Sequence, residues 1–187
     1  MRIVAGSARG RPLKGPRDAR VIRPTADRVR ETVFNMLGQW MDGLAVLDLY
    51  AGTGALGLEA LSRGAARLVM VDRDREAQGL CRDNAATLGF ADKARLLARP
   101  VDEALGALHA EGERFDVIFA DPPYAARAVA DLLDQLGRHP VCTPGGLVVV
   151  EHDRREEAPG SGAGFTREDG RRFGDTVVTF YRAAPVS

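Results

Sequence analysis

The chain has 187 residues, 45% of them hydrophobic and 28% charged, and its 26 basic and 26 acidic residues cancel to a net charge of zero. Such a length buries a substantial core without disulfide or metal staples, and Cys81, Cys142, His109, His139 and His152 share no ligand spacing, so neither a disulfide framework nor a metal site is expected. No stretch approaches the roughly 18 consecutive apolar residues of a membrane span and no apolar signal core opens the sequence, so the expectation is a cytoplasmic protein without membrane contact, its histidines on the surface or in loops.

Residues 1–14 pattern as a small hairpin, with 2–5 and 11–14 flanking a Gly6 to Gly10 turn. Basic charge collects here. Residues 1–40 hold nine Arg or Lys against three Asp or Glu, and Arg2, Arg9, Arg11, Lys14, Arg17, Arg20 and Arg23 punctuate a Gly/Pro-rich segment with few core-forming residues. That is the composition of a phosphate-contacting arm, with Arg9, Arg11 and Lys14 as candidate contacts to a nucleic acid. A solvated basic surface is the competing reading.

A helix follows over 23–37, with Thr25 as its N-cap and Asp27 in the first turn, where the macrodipole favours negative charge. Val29, Val33, Met36, Leu37 and Trp40 make its apolar face, leaving Arg28, Glu31, Thr32 and Asn35 on the others. Strands are then expected near 44–49, 67–72, 94–98, 115–121, 147–151 and 176–182, alternating with helices near 55–63, 74–88, 101–110 and 126–138. Alternation of this kind implies right-handed crossovers and a mainly parallel sheet covered on both faces, with the ligand crevice at the strands' carboxyl ends. Residues 160–164 read as a flexible loop, and the last strand, with no helix before it, should enter antiparallel, through a hairpin.

Three carboxylates end predicted strands: Asp48, Asp72 and Asp121. After Asp48 comes a turn with Gly52 and Gly54, where the backbone can approach a ligand, and Gly57, which lets a helix pack closely on the sheet. A Gly-x-Gly-x-x-Gly spacing also fits dinucleotide sites. The acid at the strand end would repel a pyrophosphate, however, and would welcome the amino group of a methionine moiety. Asp72, 15 residues beyond Gly57, suits the hydroxyls of a ribose or, alternatively, the cap of the next helix. Together these features describe S-adenosylmethionine better than NADP.

Asp121, Pro122, Pro123 and Tyr124 follow the apolar run 115–120. The prolines offer no N–H and bias their predecessors towards extended geometry, so the turn presents acceptors without competing donors. A planar group bearing an amine fits such a turn. With the Asp121 carboxylate and the Pro122 carbonyl accepting its hydrogens and Tyr124 stacking on its ring, the nitrogen lone pair is free to attack an electrophile. This is the chemistry of amino-group methylation.

The pairing of residues 48–54 with 121–124 resembles the class I S-adenosylmethionine-dependent amino-methyltransferases. Residues 22–35, 57–65 and 172–175 narrow the likeness to the bacterial 16S ribosomal RNA guanine-N2 methyltransferases of the RsmD type, over nearly the whole chain. The resemblance implies a Rossmann-like α/β fold with a seven-stranded, mainly parallel sheet and an antiparallel last strand. It also implies a basic amino-terminal hairpin (residues 1–20) before a single methyltransferase domain (residues 21–187), and methylation of a guanine in the 16S rRNA of the small ribosomal subunit. The site assigned to the cofactor is Asp48, Tyr50, Gly52, Gly54, Asp72 and Val101 with Thr25 and Arg28. Asp121, Pro122 and Tyr124 are assigned to catalysis, and Pro123 joins the three basic residues in holding substrate. The family's acid after the third strand is replaced by the run Arg99, Pro100, Val101, so the adenine contact passes to the Val101 backbone, with Asp102 as second choice.

Three rival readings stand beside this one. A DNA adenine-N6 methyltransferase suits the same turn but needs a target-recognition domain for which the chain has no room. A non-catalytic RNA-binding assembly factor would not need Asp121 with Gly52 and Gly54. An NAD-dependent oxidoreductase gives residues 121–124 no role.

Overall fold

The computed structural model describes residues 1–16, 24–123, 125 and 127–185. Arg17, Arg20, Arg23 and Tyr124 lie outside the described residues, as does the side chain of Thr25. The elements are α1 (Pro24–Leu37), β1 (Ala45–Leu49), α2 (Ala55–Ser62), β2 (Arg67–Val71), α3 (Arg75–Leu88), β3 (Ala94–Leu97), α4 (Val101–Ala110), β4 (Phe115–Ala120), α5 (Ala128–Arg138), β5 (Cys142–Asp153), β6 (Ser161–Gly162), β7 (Phe165–Phe173) and β8 (Thr176–Ala183).

One sheet runs β3-β2-β1-β4-β5-β8-β7-β6. The first five strands are parallel, and β8, β7 and β6 add antiparallel ones. Alternate residues of each strand point to opposite faces. Leu47, Leu49, Ile118, Val148 and Val150 therefore pack under α4 and α5, while Val46, Val117, Phe119, Val149 and Phe180 pack under α1, α2 and α3. The chain leaves β1 towards β2 on one side and reaches β4 on the other, so the strand order reverses between β1 and β4. A crevice opens at the carboxyl ends of such strands.

Several boundaries differ from expectation for local reasons. Helix α1 begins at Pro24, so Thr25 lies inside the first turn and is not its N-cap; a proline at the first helical position gives up an N–H that would have no partner. Phe34 is fully buried on the face of Val29 and Val33, whereas Trp40 is 68% exposed, because the helix stops at Leu37 and its periodicity no longer applies. Strand β5 starts at Cys142, ahead of the expected 147, with Pro144, Gly145 and Gly146 absorbed by a register shift opposite Phe115 and Val117. The supposed loop 160–164 contains β6, and β7, outside every expected strand range, is the other arm of the hairpin through which the last strand enters. Its sequence is mostly charged and exposed because it pairs through its backbone with β8, reinforced by Arg182 on Glu168 at 2.8 Å. Among the described residues, seven strands have four or more residues, and the two-residue β6 makes an eighth.

The amino-terminal hairpin is short, with a single bridge between Arg2 and Pro12, and it is not a free arm. Its few core-forming residues, Ile3, Ala8 and Leu13, are buried in the core beneath α2 and α3. Glu59 of α2, fully buried, accepts from the Val4 and Ala5 N–H groups at 2.8 and 2.9 Å, and Asn84 of α3 accepts from the Lys14 N–H at 2.8 Å.

Candidate active site

The crevice of about 330 Å³ is floored by the carboxyl ends of β1, β4 and β5 and the start of β8, and α1 lines its opposite wall. Asp48, Tyr50, Gly52 and Asp121 all line it. Asp48 is 3% exposed, and its Oδ2 accepts from the Gly57 N–H, one of the first-turn donors of α2 that has no partner within its helix. Burial pushes this carboxyl up to about 7, with the nearby Asp121 and Asp72 adding to the rise and the Gly57 N–H opposing it. Such a group calls for a positive partner.

Beyond β1, Tyr50 adopts a φ of 57°, a left-handed conformation that a non-glycine residue holds only at a cost. The two glycines of the turn differ in purpose. A Cβ on Gly52 would meet nothing nearer than 4.0 Å, so the space beside it is open to a ligand. On Gly54 it would come within 2.9 Å of Met70 Sδ, which makes Gly54 a packing requirement. Gly57 packs on Leu68 as its place in the turn suggests.

Asp72 follows β2 without lining the crevice. Its two oxygens accept from the Gly52 and Asp74 N–H groups, each at 2.9 Å, fixing the turn. The cap of α3 is Asp74, which accepts from the Ala77 N–H, so Asp72 is not spent on capping. Val101 opens α4 with a buried side chain, and its N–H is one of that helix's first-turn donors. Asp102 is exposed and turns towards α5, with Arg138 at 3.4 Å. Arg28 is exposed and outside the crevice.

Asp121 leaves the end of β4 with its N–H directed at the Leu49 carbonyl, 3.4 Å away. Its surface opens towards solvent, while the protein around it desolvates the carboxyl enough to raise it to about 6. Pro122 is buried and Pro123 exposed, as a rigid bend that turns once into the protein and once out of it. Arg9 is exposed on the hairpin tip. The Arg11 guanidinium donates to the Thr87 carbonyl, and Lys14 pairs with Asp83 at 2.9 Å, so these two lie against α3.

Of the polar residues lining the crevice, Arg30, Glu151 and Thr176 carried no assignment from the sequence. Arg30 sits three residues before Val33 on the apolar face of α1, and a charge on that face was the available signal. It is 3% exposed, donates to the Arg2 carbonyl and to Asp27 Oδ1 at 2.5 and 2.7 Å, and lies 3.4 Å from Glu59 Oε2, while its Nε makes no hydrogen bond. Arg30 thus ties the hairpin to the crevice wall. Glu151 sits at the carboxyl end of a predicted strand, the position already singled out for the other three acids.

Among the described residues no group of three or more His, Cys, Asp and Glu could hold a metal ion, and no helix is long and apolar enough to cross a membrane. Burial pushes Cys81 and Cys142 up to about 12, so neither thiol is a ready nucleophile. His152 is not a surface residue; it is 3% exposed in β5, with Nε2 at 2.8 Å from the Thr179 hydroxyl.

The family described as conserved hypothetical protein 95 matches residues 1–182. A Bacillus subtilis relative, YlbH, is 37% identical over 182 residues, spanning 97% of this chain and 98% of its own. The ribosomal RNA small subunit methyltransferase D of Escherichia coli strain K12 is 34% identical over 182 residues, spanning 97% of this chain and 89% of its own. A solved structure of the Escherichia coli protein yhhF superposes with a TM-score of 0.84 at 31% identity, covering 100% of this chain and 99% of that one.

Proposed function

The chain belongs to the conserved hypothetical protein 95 family, and from that membership we propose that it methylates the exocyclic N2 of a guanine in the 16S rRNA of the small ribosomal subunit. Its enzyme class is that of the S-adenosylmethionine-dependent rRNA methyltransferases; the guanine, its N2 and the small subunit are the proposed acceptor. Its place of work is the cytoplasm, where ribosomal subunits are made.

One observation carries the reading. Asp48 and Asp121, at the ends of neighbouring parallel strands, line one crevice beside the open turn at Gly52, and burial raises both carboxyls. The residues present fit S-adenosylmethionine: an acid for its cationic part, a turn without a side chain in the way, and Asp72 beside that turn for hydroxyls. When bound, that cofactor supplies an electrophilic methyl on a sulfonium.

The protein's own part is placement and charge. Asp48 holds its carboxylate against positive charge in a desolvated wall, where the attraction exceeds its value in water. Asp121 accepts a hydrogen from the amine, turns the nitrogen lone pair to the methyl, and faces the positive charge that develops on nitrogen. With its pKa near 6 and its surface open to solvent, Asp121 also takes the proton released and passes it to water. Tyr124 is assigned the stacking of the base. A stacked or paired guanine cannot reach the crevice, so the nucleotide is unpaired or flipped out.

The test is to incubate small subunits, and separately their naked rRNA, from a strain lacking the enzyme with labelled cofactor and to map the modified base. Label on a guanine N2 is expected. Label on an adenine, on a ribose or nowhere overturns the proposal.

A further inference from the structure

The acceptor side of the crevice carries more than Asp121. Ala120 of β4 is paired with Val150 of β5 in a parallel register, so Asp121 and Glu151 are the next residues in step on adjacent strands, roughly 4.8 Å apart along the sheet's hydrogen-bonding direction. On the other side of β5, Glu151 is the partner of Val178, and Thr176 of β8 lies two residues earlier on the same face. Asp121, Glu151, Thr176 and Val178 all line the crevice. Arg30 lines it too, its Nε paired with Glu59 Oε2 at 3.4 Å without a hydrogen bond.

Asp121 and Glu151 set two carboxylates side by side on β4 and β5, and the Thr176 hydroxyl lies diagonally beyond them on β8, two residues from Val178. The pairing edge of guanine runs N2–H, N1–H, O6, which is donor, donor, acceptor. The two orders are complementary, since a carboxylate only accepts and a hydroxyl also donates. Adenine fits the same row badly. Its edge offers one amine next to an unprotonated ring nitrogen, which would face the second carboxylate without a proton between them.

We propose that Glu151 selects the base, accepting the guanine N1–H beside the N2 amine held by Asp121, with Thr176 donating to O6; this rests on the guanine reading above. Asp121 serves the reacting nitrogen, whereas Glu151 serves identity. The rejection of adenine then comes from an unmet acceptor pair at a half-buried carboxylate, which costs more than the loss of a favourable contact.

2,6-Diaminopurine separates the two roles, because it keeps the N2 amine, replaces the N1–H with a bare nitrogen, and replaces O6 with an amine from which the Thr176 hydroxyl can accept instead of donating. Small subunits reconstituted with guanine or with 2,6-diaminopurine at the mapped nucleotide are compared by kcat/KM. The parent protein is expected to prefer guanine by on the order of 10- to 100-fold. E151Q, whose amide can accept from N1–H or donate to a bare nitrogen, should bring that ratio to within about threefold. Its cofactor-induced rise in melting temperature, unchanged from the parent, shows that the variant is folded.

A parent that methylates both bases equally well overturns the proposal without any variant. So does an E151Q protein that slows on both bases alike and keeps the parental ratio, which would make Glu151 structural. A parent that methylates no guanine at all removes the functional reading itself, and this proposal with it.

Discussion

The Gly57 N–H donates to Asp48 Oδ2 at 2.9 Å across the turn from β1 into α2. The carboxylate that lines the crevice therefore also holds the first turn of the helix. Burial makes that arrangement sensitive to pH and to a cationic ligand.

Asp48 stands at about 7 in the folded protein against an ordinary 3.8. Between those values the native state keeps a proton that the unfolded chain has lost. The stability Asp48 contributes is thus full below 3.8 and is lost as pH rises through 7. Thermal melts of the ligand-free protein should show the parent losing more stability than Asp48→Asn between about pH 5 and pH 8. With the cationic part of S-adenosylmethionine on Asp48, as proposed, its affinity for the parent should rise over the same window and stay weak and flat for the variant. A pH-independent difference between the two proteins would remove Asp48 from the titration.

Asp121 contacts the amine in the proposed mechanism and not the cofactor. Asp121→Ala should retain the melting-temperature rise given by S-adenosylmethionine and lose kcat by about 10²- to 10³-fold. Loss of cofactor binding together with turnover would show that the residue shapes the turn after β4 instead.

Glu59 is fully buried and accepts from the Val4 and Ala5 N–H groups and from Arg63 Nε, with Arg30 Nε at 3.4 Å. Removing it leaves two guanidiniums, each 3% exposed, without their shared counter-charge. Glu59→Ala should cost about 3–5 kcal/mol in urea unfolding. Limited proteolysis should then cut first within residues 1–14, since the carboxylate holds the hairpin down. A loss under 1 kcal/mol with an unchanged cleavage pattern would mean that apolar packing of Ile3 and Leu13 suffices.

The hairpin's basic residues separate into two kinds. Arg9 is exposed at the tip, while Arg11 and Lys14 also bind α3 through Thr87 and Asp83. Arg9→Ala should weaken RNA or subunit binding and lower the slope of log K against log salt by about 0.7–0.9 per phosphate contact, leaving cofactor affinity unchanged. The Lys14 pair is exposed and is worth about 0–1 kcal/mol, so Lys14→Ala should barely move the melting temperature. Unaltered RNA binding at physiological salt in the triple variant of Arg9, Arg11 and Lys14 would reduce the hairpin to a solvated, packed surface.

The alternation of apolar runs and glycine turns is a local property, so the sequence alone determined the parallel sheet, the places of β1, β2 and β4, and the acids at their ends. Asp48 could be recognised because it precedes a glycine turn, and Asp121 because the prolines after it make a turn without donors. Other features depend on partners distant in the chain. Strand β7 has no apolar alternation and is a strand only because the backbone of β8 is beside it. The hairpin looked like a free arm because Ile3, Ala8 and Leu13 are too few to signal a core until α2 and α3 supply its other half. Arg30, Glu151 and Thr176 come from α1, β5 and β8, and no spacing in the sequence brings them together. Sequence fixes which residues end strands and turn corners, since those follow from neighbours along the chain. Which of them share a crevice, and at what protonation, was decided by the order of strands in the sheet and by the desolvation that packing imposes.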